Sequence, residues 1–413
     1  MHAGQTKRKV LLGRLTSPTS LVAACMFMLT AIAQAQNIRI GEINSYSGVP
    51  QSSQSYHNGA ELAVAEINAA GGVLGRNIEL ISRDDTGIPD EAVKHAEQLV
   101  KNDKVDVLSG SMLSNVALAV SRVAASEKKL FLVGDALSDA ITLDKGNRYT
   151  FRLRPSTYMQ AAMLAEAAAK LPVRRWAIIA PNYEYGQSAV SNFKLLLKER
   201  RPDVEFVAEQ WPALGKLKAA DAVKALRQAR PDAIFNVTFG TDLQQFVEEG
   251  SRQGLFASST VYSMSAGEAL GDMQAQYEAI RNWVVLGYPT DQIATAEHQR
   301  FREAYLKRYN EKPHQAAIFG YSTIMALVGG IKKAGSTDSD KLVIAMRGLS
   351  MDSPVGPIVF RSQDQQSSMG AFVGTLGYKD GRSSSSDWRY LDGTRYMPGE
   401  TYVKGRRPAS AMR

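Results

Sequence analysis

The chain has one cysteine, Cys25, in 413 residues. No internal disulfide can form, so burial and hydrogen bonding must hold the structure. Metal-binding patterns are lacking as well. The five histidines (His2, His57, His95, His298 and His314) show no pairing at ligand spacing, which argues against a zinc site. No G-x-G-x-x-G follows a strand pattern, and neither G-x-x-x-x-G-K-[ST] nor G-x-S-x-G occurs. Phosphate loops and the hydrolase nucleophile turn are therefore not expected. No cofactor is expected. Asp84 and Asp85 could suggest a carboxylate pair, but a polar strand end leading into the turn at Thr86 and Gly87 explains them more simply.

Long apolar runs are also missing. The longest, residues 21–33, falls short of the roughly 20 residues that cross a bilayer. It follows a cationic start (Lys7, Arg8, Lys9, Arg14) and ends in Ala33-Gln34-Ala35, a small-x-small cleavage site. This three-part layout reads as a secretory signal over residues 1–35, cleaved before Gln36, with a periplasmic location for the mature protein. Residues 22–25 (VAAC) resemble a lipoprotein box. The apolar residues continuing past Cys25 make lipid anchoring the lesser alternative.

The formal charge of +8 includes four positive charges and no acid in the leader, so their removal leaves +4. Much of the excess sits in Lys404, Arg406, Arg407 and Arg413. No basic stripe accompanies it, and nucleic-acid binding is not expected.

What is present is an alternation of strands and helices. Ile38 and Ile40 alternate with polar residues, then Ala60, Ala63, Val64 and Ile67 mark one face of a helix ended by Gly71 and Gly72. A strand near Ile78, a helix after Pro89, a strand over 105–108, a helix over 116–124 and a strand over 130–133 follow. The pattern restarts at 176–180 with a strand and a helix over 189–197. It continues through 204–207, 222–226, 233–237 and 243–247 to a strand at 283–286. Helices are expected over 295–309 and 314–333. The last hundred residues are less regular, with a polar loop over 383–386 and a poorly ordered tail after Gly399. Such alternation implies parallel sheets covered on both faces, here as two doubly wound lobes, the second beginning near Pro155.

Several segments in order resemble the Leu/Ile/Val-binding proteins of bacterial ABC importers. They are residues 38–48 (IRIGEINSYSG), 58–60 (NGA), 66–75 (EINAAGGVLG) and Asp84-Asp85, then 185–186 (YG), 319–321 (FGY) and 354–357 (PVGP). The resemblance implies an α/β type I periplasmic binding protein, two doubly wound parallel-sheet lobes joined by a three-crossing hinge. It implies an N-terminal lobe of residues 36–155 and 290–367, and a C-terminal lobe of 156–289 completed by 368–413. It also implies a monomer that binds a small-molecule ligand, hands it to permease subunits with their ATPases, and catalyses nothing.

The site residues are likewise implied by the resemblance. Ser114 stands where the family places a serine on the ligand carboxylate, at a helix start suited to an anion without an arginine. Residues 134–138 (GDALS) match a loop that supplies further groups, from Ala136 and Ser138. Tyr185 matches a tyrosine that closes over the ligand, with Tyr183 close by and Phe239 at or beside another aromatic contact. One position departs: the family's acid for the α-ammonium group falls on Ser265. The ligand then either lacks that amine, as in an aromatic or aliphatic acid or an amide, or pairs it with Asp135, Asp242 or Glu268. The family's small disulfide is missing, its positions falling near Gly87 and Leu113. The expected function is solute capture for an importer of the branched-chain amino acid type. The alternative is a ligand-sensing subunit for a chemoreceptor or kinase.

Overall fold

The computed structural model describes Met1 and residues 36–268, 279–379, 382–383 and 387–411. The leader with its Cys25 box, and the loop residues 384–386, lie outside the described residues.

The first sheet is parallel throughout. Its strands are β1 (Ile38–Asn44), β2 (Ile78–Asp84), β3 (Val107–Gly110), β4 (Phe131–Val133) and β5 (Thr150–Arg152), in the order β2-β1-β3-β4-β5. The helices are α1 (Pro50–Ala69), α2 (Pro89–Lys101) and α3 (Ser114–Ser126). Ile38 and Ile40 belong to one core beneath α1, and Ile43 to another beneath α2 and α3. That is the two-sided burial a parallel sheet needs.

The second sheet repeats this order. β6 (Arg175–Ile179), β7 (Glu205–Gln210), β8 (Ala233–Asn236), β9 (Thr260–Gly267) and β10 (Val284–Gly287) run β10-β9-β8-β6-β7, all parallel. Between them come α4 (Thr157–Ala168), α5 (Glu184–Arg200), α6 (Ala219–Ala229) and α7 (Gly240–Arg252). The chain then returns to the first lobe with α8 (Ala296–Tyr309), α9 (Gln315–Ala334), α10 (Ser339–Met346) and the hairpin β11 (Ser350–Ser353) and β12 (Gly356–Val359). It goes back to the second sheet through β13 (Ala371–Thr375) and β14 (Arg389–Leu391), added antiparallel beyond β10. The chain thus passes between the lobes three times. Two of the passages run side by side, bridged in parallel at Arg152 and Gln366.

The hinge is polar yet buried. Arg152 donates from Nε to Gln366 Oε1 at 2.5 Å and from Nη1 to the Leu137 carbonyl at 2.8 Å, while Gln365 Nε2 reaches the Arg148 carbonyl at 2.8 Å. These bonds offset the desolvation of side chains that are all but inaccessible.

Two expectations change. β5 and β9 carry too little apolar pattern to be read as strands. The tail is ordered over residues 400–411, because α11 (Glu400–Arg406) and a turn over Ala409–Ala411 pack on the protein, with Val403 and Arg407 buried. Where the disulfide is missing, a Leu113 methyl group lies 3.3 Å from the place a Cβ on Gly87 would take, so an apolar contact fills the gap. No helix among the described residues is long and apolar enough to cross a membrane.

Candidate functional site

In each sheet the order reverses beside the first strand, and such switch points open a crevice at the carboxyl ends of the strands. Here the two crevices close on one cavity of about 480 Å3. Gly48 to Ser52 line it from the loop after β1, and Met112 to Ser114 from the loop after β3. Tyr183 and Tyr185 follow β6, and Phe239, Gly240 and Thr241 follow β8.

Five helices begin at this cavity: α1, α3, α5, α7 and α9. Their N-cap residues are Val49, Leu113, Tyr183, Phe239 and His314, and none provides a side-chain cap. Among the other helices, α4, α8 and α10 are capped by Ser156, Thr295 and Asp338, while α2, α6 and α11 have no side-chain cap either. The cavity therefore receives uncapped N–H groups and the positive ends of several helix dipoles, an environment that favours an anion.

Ser114 is the first residue of α3 and lines the cavity. It is buried, and its Oγ accepts from the Ser138 N–H at 3.1 Å, which leaves its own proton free to be donated. Ala136 and Ser138 stand behind the wall. The Ala136 N–H goes to the Ser111 carbonyl at 3.0 Å, and Ser138 Oγ caps the turn over Asp139–Ile141. From that loop it is Asp135 and Leu137 that reach the cavity.

The second lobe supplies an aromatic wall. The Tyr185 ring is 5.9 Å from Phe239, edge to face, and 6.0 Å from Tyr183. Tyr183 and Phe239 also pack against apolar residues of the first lobe. Ser265, at the end of β9, has its Oγ 3.4 Å from the Tyr185 hydroxyl. Asp242 lines the cavity with its carboxylate already engaged, by Gly215 N–H at 2.8 Å and Leu217 N–H at 3.1 Å.

Although a helix start can hold an anion without an arginine, Arg154 also lies in the cavity wall. Two residues past β5 and 4% exposed, it donates from Nη1 to Asp135 and from Nη2 to Glu268, and its guanidinium lies 4.5 Å from the centre of the Phe319 ring. Burial opposes the charge of Arg154, but Glu268 and Asp135 outweigh it and hold the group charged. Burial pushes the Asp135 carboxyl up against the pull of Arg154. Burial likewise pushes Glu268 up to about 7, Arg154 opposing and Asp135 adding. Arg154 was hidden in the sequence because β5, the strand that places it, has only Phe151 as an apolar residue.

Two doubly wound lobes on a triple hinge, closing on one polar-lipped, aromatic-walled cavity, define a protein that holds a small solute between its lobes. A family profile for periplasmic binding proteins matches residues 37–382, and the chain belongs to that family. It is 24% identical over 384 residues to Leu/Ile/Val-binding protein homolog 7 of Brucella melitensis, spanning 88% of this chain and 94% of that one. It is 22% identical over 345 residues to the Leu/Ile/Val-binding protein of Escherichia coli K12, with 83% and 91% covered. Among solved structures, a solute-binding protein of an ABC transporter from Rhodopseudomonas palustris BisB5, in complex with 3,4-dihydroxybenzoic acid, superposes with a TM-score of 0.77 at 24% identity. That match covers 87% of this chain and 98% of the other. An ABC-type branched-chain amino acid transporter structure from R. palustris CGA009 gives 0.72 at 23% identity, covering 88% and 98%.

Proposed function

We propose that this protein is the solute-binding component of an ABC importer, exported to the periplasm by its N-terminal leader, and that it captures a small carboxylate-bearing solute. The convergence of five uncapped helix starts on the interlobe cavity carries this reading. The first turn of α3, with Ser114, donates to the carboxylate from one side of the cavity that Arg154 also lines. Tyr183, Tyr185 and Phe239 cover the apolar body of the ligand, burying area at low entropic cost. Each lobe contributes part of the contacts, so the ligand favours the closed state by its differential affinity, and closure is the signal read by a permease with its ATPase.

The relatives bear names that mention leucine, isoleucine and valine, and one neighbour holds 3,4-dihydroxybenzoic acid. A thermal-shift panel tests the reading, using protein freed of carried-over ligand and set against amino acids, aromatic and aliphatic carboxylates, amides and urea. A carboxylate at about a hundred times its Kd stabilises the folded state by about 2.7 kcal/mol. A panel in which no carboxylate raises Tm, while an uncharged amide or urea does, would overturn it.

A further inference from the structure

Arg154 joins three parts of the molecule. β4 and β9 hold the same place in their sheets, and each is followed within two residues by an acid, Asp135 in one lobe and Glu268 in the other. Arg154 lies between them, one arm on each.

The two arms are not equivalent. Asp135 comes from the strand beside β5, and its side chain is 2% exposed. Glu268 comes from the opposite lobe, and its side chain is 23% exposed in the cavity wall. The Phe319 ring lies against the guanidinium and steadies its plane. One arm is thus committed to Asp135, and the other points where a ligand would lie.

We infer that Glu268 is an exchangeable occupant of Arg154: a ligand carboxylate takes its place on Nη2, and the released Glu268 accepts a proton from solvent. This rests on the reading of the cleft as a carboxylate site, and it names the class as acids without an amine beside the carboxylate. Released from Arg154, an ionised Glu268 would face Asp135 and the ligand anion in a half-buried position, which is costly. Its neutral form is accessible, since burial already pushes the carboxyl up to about 7. Ser265, the neutral residue at the end of the same strand, offers no anion to an ammonium group.

The sign of the proton linkage decides the matter. Under exchange the bound state holds more protons than the free state. Affinity then falls as pH rises above about 7, approaching tenfold per unit, and levels off below about 6 where Glu268 is already protonated. A ligand whose ammonium pairs with Glu268 does the reverse. It keeps the carboxylate ionised, releases a proton, and binds more tightly as pH rises through 7.

The experiment is calorimetric titration of benzoate, 4-methylpentanoate and L-leucine between about pH 6 and about pH 8. Each is repeated in buffers of different ionisation heat, so that protons are counted directly. The expected result is proton uptake with benzoate or 4-methylpentanoate and an affinity that drops about fivefold between about pH 7 and about pH 8. Glu268→Gln should abolish that dependence and bind about tenfold more tightly than the unmodified protein near pH 8. Proton release, pH-independent binding in the unmodified protein, or tight binding of L-leucine alone would overturn the exchange and leave the carboxylate site standing. Failure of all three to bind, with or without the substitution, would remove the carboxylate reading itself, and the exchange with it. The proton count on the unmodified protein stands even if the variant folds poorly.

Discussion

A Cβ on Gly59 of α1 would lie 1.9 Å from the main-chain oxygen of Ala317 on α9, so the two helices touch backbone to backbone. The contact is reciprocal, because a Cβ on Gly320 would lie 1.9 Å from the Tyr56 oxygen. Both helices begin at the cavity, at residues 50–52 and 315–316. Their crossing therefore fixes two of the five helix starts that face the ligand.

Gly59→Ala and Gly320→Ala should each destabilise the protein by several kcal/mol. Alanine is the better helix former by about 1 kcal/mol, which would favour the variants. The overlap with a carbonyl oxygen outweighs this, since backbone cannot rotate aside and overpacking typically costs about 1–3 kcal/mol or more. Denaturant unfolding measures the difference. A gain in stability would contradict the backbone contact between the two helices.

The same contact explains why parts of the molecule were legible. Residues 58–60 and 319–321 stood out by resemblance, and the structure gives each glycine a steric reason. Short apolar runs and helical stripes revealed most strands and helices, because a parallel sheet buried on both faces leaves a dense signal. The signal fails where burial is polar. β9 keeps Ser263 inside by bonding its Oγ to Asn236 at 2.9 Å, and the hinge buries Arg152, Gln365 and Gln366. The cavity's serine and aromatic positions came from the resemblance. Glu268 was visible as the nearest acid, but its partner Arg154 lies 114 residues away, and only the fold brings them together.

Ser114→Ala should weaken carboxylate binding by about tenfold, the value of one hydrogen bond to a charged group. It should also lower ligand-free stability by about 1 kcal/mol, since the Ser138 N–H loses its acceptor. Tyr185 is only 4% exposed and belongs to the second-lobe core. Tyr185→Ala is thus expected to cost about 3–5 kcal/mol in the ligand-free protein as well as affinity. Tyr185→Phe separates the roles, keeping the packing and removing the hydroxyl beside Ser265. Paired melting and titration of the three variants checks this, and an unchanged ligand-free melt for Tyr185→Ala would contradict the burial.

His298 gives the stability a dependence on pH. It is fully buried, its Nε2 lies 2.6 Å from the Tyr288 hydroxyl, and burial together with Arg302 lowers its pKa from 6.5 to about 4. Between those values the unfolded chain binds a proton that the folded protein refuses. The contribution is therefore complete above about pH 6.5 and is lost as pH falls towards 4, by about 3 kcal/mol in all. Glu268, with its raised pKa, acts in the opposite sense over part of this range, so the readout is the difference between His298→Gln and the unmodified protein. That difference should grow steadily from about pH 4 to about pH 6.5. A constant difference would show that His298 is protonated in the fold.

The carboxyl-terminal segment closes the hinge from outside, and removing residues 400–413 should cost the protein at least about 3 kcal/mol. Arg407 is 3% exposed. It reaches the carbonyls of Thr142 and Asp364, the Gln365 side chain and, at 3.3 Å, the Asn147 carbonyl. Burial lowers its pKa to about 10, so it is still charged at neutral pH. Arg406 pairs with Asp144 beside it. Without the segment, carbonyls of the 142–147 loop and of the 364–367 crossing lose a charged donor in a region water enters poorly. Arg407→Met, which keeps the aliphatic stem, should reproduce most of the loss, because the cost lies in unpaired acceptors and not in missing contact area. Since none of these residues lines the cavity, affinity at a temperature where the variant is folded should change by less than threefold, about 0.6 kcal/mol. A truncated protein that melts with the unmodified one would show that the tail rests on the hinge without holding it. A large loss of affinity in a well-folded Arg407→Met variant would show that the hinge transmits the tail's contacts to the cleft.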